Sequence, residues 1–254
     1  RTSLAVMWSR GCIGRCLYCK ERALWGHYRM RDIDSIIDEL WYSVKKLRIN
    51  NFVVYDSTIN GNLKLLEELC DEIIKQKLNI TWSGEAIALK GMEQSLLDKM
   101  AKAGCHTLVY GIESGSDVVL KNMRKLSDRS NATDVLKRTH KAGIKVAINI
   151  LVGFPGETEE EFQSTLDFLY ENRDNIDRLD GVSSLQIVSD TPLEEKVDDF
   201  GIVVPAVNGN DKWYIPGVNN YDIRQKRLSI ILACAQKYGF EIGRTFLDET
   251  SAPT

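Results

Sequence analysis

No apolar run in this chain approaches the ~20 residues needed to span a bilayer as a helix. No signal peptide is visible in its opening residues. Basic residues (33) do not outnumber acidic ones (36), and the net charge of −3 provides no global basic field for nucleic acid. There is no low-complexity tract, and no internal repeat beyond an alternation of strand-like and helix-like segments. Six cysteines in 254 residues do not make a disulfide scaffold. These absences leave a water-soluble domain without membrane contact, expected in the cytoplasm. The length and the 43% hydrophobic content suffice for one large domain, or for one domain with an extension.

Three of the cysteines are clustered. Cys12, Cys16 and Cys19 fall in the run 10–19 with the spacing C-x3-C-x2-C, and Tyr18 stands just before the last of them. Three thiolates on one short loop can hold one metal cluster, with one ligand fewer than a closed cluster site uses. The alternative is structural zinc, with His27 joining the three cysteines in a tetrahedral set. Cys70, Cys105 and Cys234 lie in apolar-periodic segments and read as small buried hydrophobes.

Strands are expected at 4–8, 51–55, 79–83, 107–112, 145–152 and 182–188. Between them, apolar residues recur at helical spacing: Ile33, Ile36, Ile37, Leu40, Val44 and Leu47, then Leu65, Leu66, Leu69, Ile73 and Ile74, then Leu96, Leu97, Met100 and Ala103. Gly104 and Gly143 end helices. Thr158 and Glu161 form a capping box ahead of Phe162, Leu166 and Leu169. Strands each followed by a helix imply right-handed βαβ units and a parallel sheet. His106 and His140 are read as packing or capping groups near helix ends. Beyond Thr191 the alternation fails, with one more helix expected from Asp222.

The cysteine spacing with Tyr18 resembles the signature of the radical S-adenosylmethionine (radical SAM) enzymes. Two later segments extend the resemblance. These are Gly111-Ile112-Glu113-Ser114-Gly115-Ser116, after the fourth strand, and Gly153-Phe154-Pro155-Gly156-Glu157-Thr158, after the fifth. The resemblance covers about residues 1–190. It implies an α/β fold, an open partial (β/α)6 TIM-type barrel over 1–190, with a C-terminal extension, 191–254, packed on that core. It implies a 4Fe–4S cluster on Cys12, Cys16 and Cys19 with an open iron that chelates SAM. Reductive cleavage of SAM would then yield a 5′-deoxyadenosyl radical. Glu113 is carried over as a contact to the SAM ribose, and Tyr18 and Asp56 as further SAM contacts; Asn149, a polar residue in an apolar strand, must find a hydrogen bond either from SAM or within the barrel interior. Glu157 is expected to support its turn. Glu85 stands where related enzymes often carry an arginine.

Among radical SAM subfamilies, the favoured resemblance is to the cobalamin-dependent class. Members of that class carry a cobalamin domain upstream, and the segment 210–214 around Trp213 is similar to their post-barrel region. The chain accordingly reads as cut at a domain boundary, with an upstream domain missing. A methylthiotransferase that modifies RNA or protein is the alternative, and a non-catalytic zinc or iron–sulfur scaffold is the alternative of another class. Arg10, Arg15, Lys20, Arg22, Arg29 and Arg31 crowd the cysteine loop. They could offset cluster charge, hold an anionic substrate, or dock an acidic electron donor of the flavodoxin or ferredoxin type.

Overall fold

Alternation along the strands decides this architecture, because successive side chains leave a strand on opposite faces. The computed structural model describes residues 2–205 and 210–245. Seven strands pair in parallel: β1 (Leu4–Val6), β4 (Asn51–Val54), β5 (Thr81–Ala86), β6 (Cys105–Glu113), β7 (Lys145–Val152), β8 (Arg178–Ser184) and β9 (Glu241–Thr245), in that spatial order. A separate antiparallel pair, β2 (Ser9–Arg10) and β3 (Arg29–Met30), closes the loop after β1. The helices are α1 (Glu21–Trp25), α2 (Ile33–Tyr42), α3 (Leu63–Lys75), α4 (Gln94–Lys102), α5 (Asp117–Asn122), α6 (Arg129–Lys141), α7 (Glu159–Glu171) and α8 (Tyr221–Tyr238). No helix among the described residues is long and apolar enough to cross a membrane.

One face of the sheet supplies Phe52, Val54, Trp82, Leu108, Tyr110, Val146, Ile148, Ile150, Leu179 and Val182 to the main core. The helices meet it with Ile36 and Leu40 of α2, Leu66 and Leu69 of α3, Leu97 and Met100 of α4, Val135 and Leu136 of α6, Phe168 and Leu169 of α7, and Leu228 and Ile231 of α8. The other face presents Val53, Ser83, Thr107, Asn149, Gly181 and Ser183 to a cavity. A closed barrel fills that space with bulky branched side chains; here serine, threonine and glycine leave it open.

Helix starts follow their capping residues. Asp32, Asn62, Ser116, Asp128, Thr158 and Asn220 each accept a backbone N–H of the first turn, and Thr158 with Glu161 completes the expected capping box.

The structure corrects the expected strands in three places. The third begins later and runs on through Gly84 to Ala86. Gly84 is needed there, since a Cβ would fall 2.9 Å from the Ile59 side chain. The sixth lies at Arg178–Ser184 rather than 182–188, because Leu185 and Ile187 leave the sheet for a second apolar cluster. A seventh strand, β9, pairs with β8 after α8. It has one neighbour, is short and contains Gly243, so it carries no apolar run to reveal it. His106 is also corrected: it belongs to β6 and lines the cavity, its Nδ1 2.8 Å from Thr107 Oγ1. Cys70 and Cys105 are buried in the main core as expected, whereas Cys234 on α8 is only half-buried.

The turn after β7 is locked from α8. Glu157 is buried, and its Oε2 accepts the Gly153 N–H at 2.6 Å and the Arg227 guanidinium at 2.7 Å. Arg224, fully buried, donates to Asn219 Oδ1, to Asp211 O and to Trp213 O, and stacks 4.0 Å from the Trp213 ring. Gly153 has φ +81°, and a Cβ there would strike Arg224 Cδ at 2.4 Å, so only glycine fits. Trp213 is core: its Nε1 donates to Leu185 O. Glu157→Ala removes the buried partner of Arg227 and leaves it only the exposed Glu159 at 3.4 Å, and we expect a loss of about 3–5 kcal/mol in urea unfolding. A loss below 1 kcal/mol would show that this pair does not hold the turn.

Candidate functional site

The chain leaves β1 at the carboxyl edge of the sheet, the edge at which open α/β folds bind ligands. β2 and β3 then clip residues 11–28 into a loop, with Ser9 opposite Met30 and Arg10 opposite Arg29. Leu17 fastens this loop to the body. Its side chain is 3% exposed within the second apolar cluster, against Val119, Met123, Leu151, Phe154, Leu185, Leu193 and Trp213. Its N–H donates to Met123 O, and its carbonyl accepts from Leu193 N–H. The neighbours Cys16 and Tyr18 are thereby fixed on either side of a buried anchor.

Cys12, Cys16 and Cys19 line one cavity of about 320 Å³. A backbone amide supports one of the sulfurs: Gly14 N–H donates to Cys12 Sγ at 3.3 Å. A Cβ on Gly14 would lie 3.3 Å from Cys12 Sγ and 3.7 Å from Cys16 Sγ, so those sulfurs stand at most about 7 Å apart around it. Among the described residues no three Cys, His, Asp or Glu side chains gather as a single metal ion requires. Zinc, with Zn–S bonds of about 2.3 Å, would draw its sulfurs to within about 4 Å of one another. His27 is exposed and does not line this cavity, so the three-cysteine, one-histidine zinc set is not assembled. Three thiols spread around one shared space fit a polynuclear cluster. Burial pushes all three thiols up, Cys19 to about 11.

A second cavity, of about 1050 Å³, occupies the barrel interior and meets the first at Glu21. Tyr18, Asp56, Glu113 and Asn149 all line it. Glu113 ends β6 with φ +72°, beside a register shift against β7. A non-glycine residue in that conformation is strained, and such strain is typical of functional sites. Its carboxylate pairs with Lys125 at 3.4 Å. Burial, then the Glu113 charge, raises Tyr18 well above the usual phenol range. Burial alone would lower the Lys125 ammonium, but Glu113 and the Cys16 and Cys12 sulfurs hold it above its ordinary value.

Asp56 has a different environment. Its Oδ1 accepts Trp8 N–H at 3.0 Å, and its Oδ2 accepts Ser9 N–H and the Ser9 hydroxyl, each at 2.7 Å. Both oxygens are thus engaged in tying the end of β1 to the end of β4, and burial pushes the carboxyl up to about 6. Asn149 projects from β7 into the cavity. Gly181 opposite gives it room, since a Cβ there would lie 2.9 Å from Asn149 Oδ1. Glu85 also lines this wall.

Two residues of the site were not singled out in the sequence. These are Lys125, paired with Glu113, and Glu21, bonded to Ser57 Oγ. Nothing in the local pattern marks either; both matter through what the fold places beside them.

Residues 6–169 match the model of the Radical SAM superfamily. The chain belongs to this superfamily. Its cofactors are a 4Fe–4S cluster and SAM, which is the group the three-thiol cavity fits. Similar radical SAM relatives include an uncharacterised methyltransferase of Pyrococcus horikoshii. It is 29% identical over 164 residues, which cover 64% of this chain and 36% of that protein. Another is the ribosomal protein uS12 methylthiotransferase RimO of Clostridium novyi, 27% identical over 254 residues, covering 95% of this chain and 51% of that one. Among solved structures, the fold is similar to TsrM, a radical SAM methyltransferase of Kitasatospora setae with cobalamin and a [4Fe-4S] cluster bound. The TM-score is 0.71 at 19% identity, over 82% of this chain and 43% of that one. The chain therefore spans about a third of the length of the first relative and about half of the second.

Two variants separate anchoring from cofactor contact. Leu17→Ala removes the plug beneath the cysteine loop and should cost about 2–5 kcal/mol in urea unfolding. Asp56→Asn keeps the shape but converts one acceptor to a donor facing Trp8 or Ser9, and should cost about 1–3 kcal/mol. Unchanged stability in Asp56→Asn, with weakened SAM binding by calorimetry, would make this carboxylate a SAM ligand rather than a clamp.

Proposed function

We propose that this chain is the radical-generating domain of an enzyme that reductively cleaves SAM at a cluster held by Cys12, Cys16 and Cys19. The observation that carries this reading is the junction of two cavities: a small one walled by three thiols, and one about three times larger lined by Glu113, Tyr18 and Asn149. The chemistry supplied by the bound cluster and SAM is one-electron cleavage of a carbon–sulfur bond, which gives methionine and a 5′-deoxyadenosyl radical that abstracts hydrogen from substrate.

The chain's own residues do the placing. Three thiolates are one fewer than a closed site uses, which leaves a position for the amino and carboxylate groups of SAM. Lys125, its side chain 9% exposed and paired with Glu113, places a positive charge near the Cys16 and Cys12 thiols. Glu113, restrained by Lys125, presents an acceptor to a ribose hydroxyl, and Asn149 offers both donor and acceptor deeper in the barrel. Met7, Val53, Trp25, Leu151 and Leu185 line the same cavity and limit water around a reactive carbon.

The reaction downstream is methyl transfer assisted by cobalamin, with the cobalamin held by residues outside this chain. Support comes from the methyltransferase relatives and from the TsrM fold, whose structure contains cobalamin. A second reading, a methylthiotransferase acting on RNA or protein, is favoured by the RimO match, which runs over 95% of the chain. The reductant is a one-electron carrier of the flavodoxin or ferredoxin type.

Anaerobic reconstitution with iron and sulfide, followed by electron paramagnetic resonance, tests the core of this reading. We expect a reduced 4Fe–4S signal that shifts on addition of SAM, and Cys16→Ala should abolish both the signal and 5′-deoxyadenosine formation. Full iron content in Cys16→Ala would remove that ligand from the site. Stoichiometric zinc in place of iron would return the chain to a scaffold role.

A further inference from the structure

The larger cavity runs the length of the barrel interior, well past the residues that face the cysteines. Glu113 and Leu185 line it at the carboxyl end of the strands; His106, Arg178 and Asp180 line it at the amino end. Seven positions of β6 separate His106 from Glu113, roughly 20 Å of strand. The amino face of a closed barrel ordinarily serves stability. Here it holds polar groups that open into a cavity.

Two β-bulges set side chains at this end. β5 pairs Trp82 with Cys105 and then Ser83 with Thr107, so His106 is the extra residue on β6. β7 pairs Ile148 with Leu179 and then Asn149 with Gly181, so Asp180 is the extra residue on β8. Gly243 of β9 accommodates the second bulge, since a Cβ there would strike Asp180 O at 2.4 Å. A third bulge lies beside Glu113, at the opposite end of the same cavity. A bulge leaves a residue out of the ladder and re-aims its side chain, often next to a functional site. The same device therefore marks both ends.

The amino-end groups hold more donors than the protein uses. Arg178 Nη2 pairs with Asp180, but its Nε is buried with no hydrogen-bond partner among the described residues. A buried N–H left unpaired costs stability, so this one calls for a partner from outside the chain. A partly exposed ion pair contributes little to folding, which is a poor reason to place Arg178 there. His106 Nδ1 lies 2.8 Å from Thr107 Oγ1, and its Nε2 has no partner among the described residues. Burial, then the charges of Lys145 and Arg178, hold the imidazole below its ordinary range, so it is neutral at pH 7. Asp180 and the exposed Glu241 balance Arg178 and Lys145 in number. The end therefore attracts through aimed N–H groups and the cations beside them, not through surplus charge. A guanidinium N–H and an imidazole N–H suit the oxygens of an anion.

We propose that the amino end of the barrel is a second ligand site, where Arg178 Nε–H and His106 Nε2–H donate to the carboxylate or phosphate group of a small molecule. The Thr107 hydroxyl donates to His106 Nδ1 and so keeps the ring proton on Nε2. The site shares a cavity with Glu113 and Asn149 but none of their contacts, and it is independent of what the cysteines hold.

The test titrates inorganic phosphate, and separately acetate, into the anaerobically reconstituted chain by calorimetry at constant ionic strength, with and without SAM. Two variants are compared with the parent. One combines Arg178→Gln with Asp180→Asn, which removes the guanidinium without stranding its carboxylate. The other is His106→Leu, which removes the imidazole donor. We expect the parent to bind at least one of the two anions, with SAM changing that affinity by less than about twofold. Each variant should bind the same anion about tenfold or more weakly. Tighter binding of phosphate would assign the site to a phosphate ester, and tighter binding of acetate to a carboxylate. Binding of neither anion by the parent leaves Arg178 Nε to solvent and overturns the site. Equal affinity in the parent and both variants overturns it as well. Competition between SAM and the anion would place the anion at the cysteine end and overturn it too. If the double variant loses the circular dichroism of the parent, His106→Leu alone decides, and unchanged affinity there overturns the proposal.

Discussion

Burial of Leu17 is the constraint on which the functional end of the molecule depends. The cysteine loop has little regular structure: one short antiparallel pair at its base and a five-residue helix. Such a loop would sample many conformations, at a cost of roughly 1–2 kcal/mol of backbone entropy per residue when fixed. Leu17 offsets part of that cost by entering an apolar cluster built from α5, the end of β7 and the post-barrel segment. Its two backbone hydrogen bonds, to Met123 and Leu193, orient it as well as hold it. Cys16 and Tyr18 then have fixed positions because the residue between them has one.

The same cluster explains why the segment after β8 belongs to the site. Trp213 and Ile202 belong to the same apolar cluster as Leu17, and Arg224 braces Trp213 from α8. Arg227 reaches the turn after β7 through Glu157. A chain of buried contacts therefore runs from α8, through the turn and the second cluster, to the cysteines. β9 adds a seventh strand beside β8 and gives α8 a fixed place in the sheet's helical layer.

Charge at the site is arranged by backbone conformation as much as by composition. Glu113 and Arg124 both hold left-handed φ angles that ordinary side chains avoid. The first places a carboxylate at the mouth of the barrel beside Lys125, and the second separates that lysine from its neighbour. These locally unfavourable conformations persist because β6, α5 and the packing between them over-determine the backbone.

The sequence by itself determined the parallel βα framework, the capping box at Thr158, the structural role of Glu157 and the three-cysteine loop. All of these are local signals: periodicity, capping chemistry and ligand spacing act within a few residues of chain. Tertiary structure alone decided that β9 exists, that Leu185 and Ile187 leave the sheet, and that His27 stays away from the cysteines. It also decided that Asp56 spends both oxygens on Trp8 and Ser9, that Lys125 turns to Glu113, and that four of six loop cations are engaged while Arg124 arrives from elsewhere. The reason is physical. The partner of a charge, and the side to which an edge segment turns, depend on residues tens to over a hundred positions away, and a local pattern carries no record of who those neighbours will be.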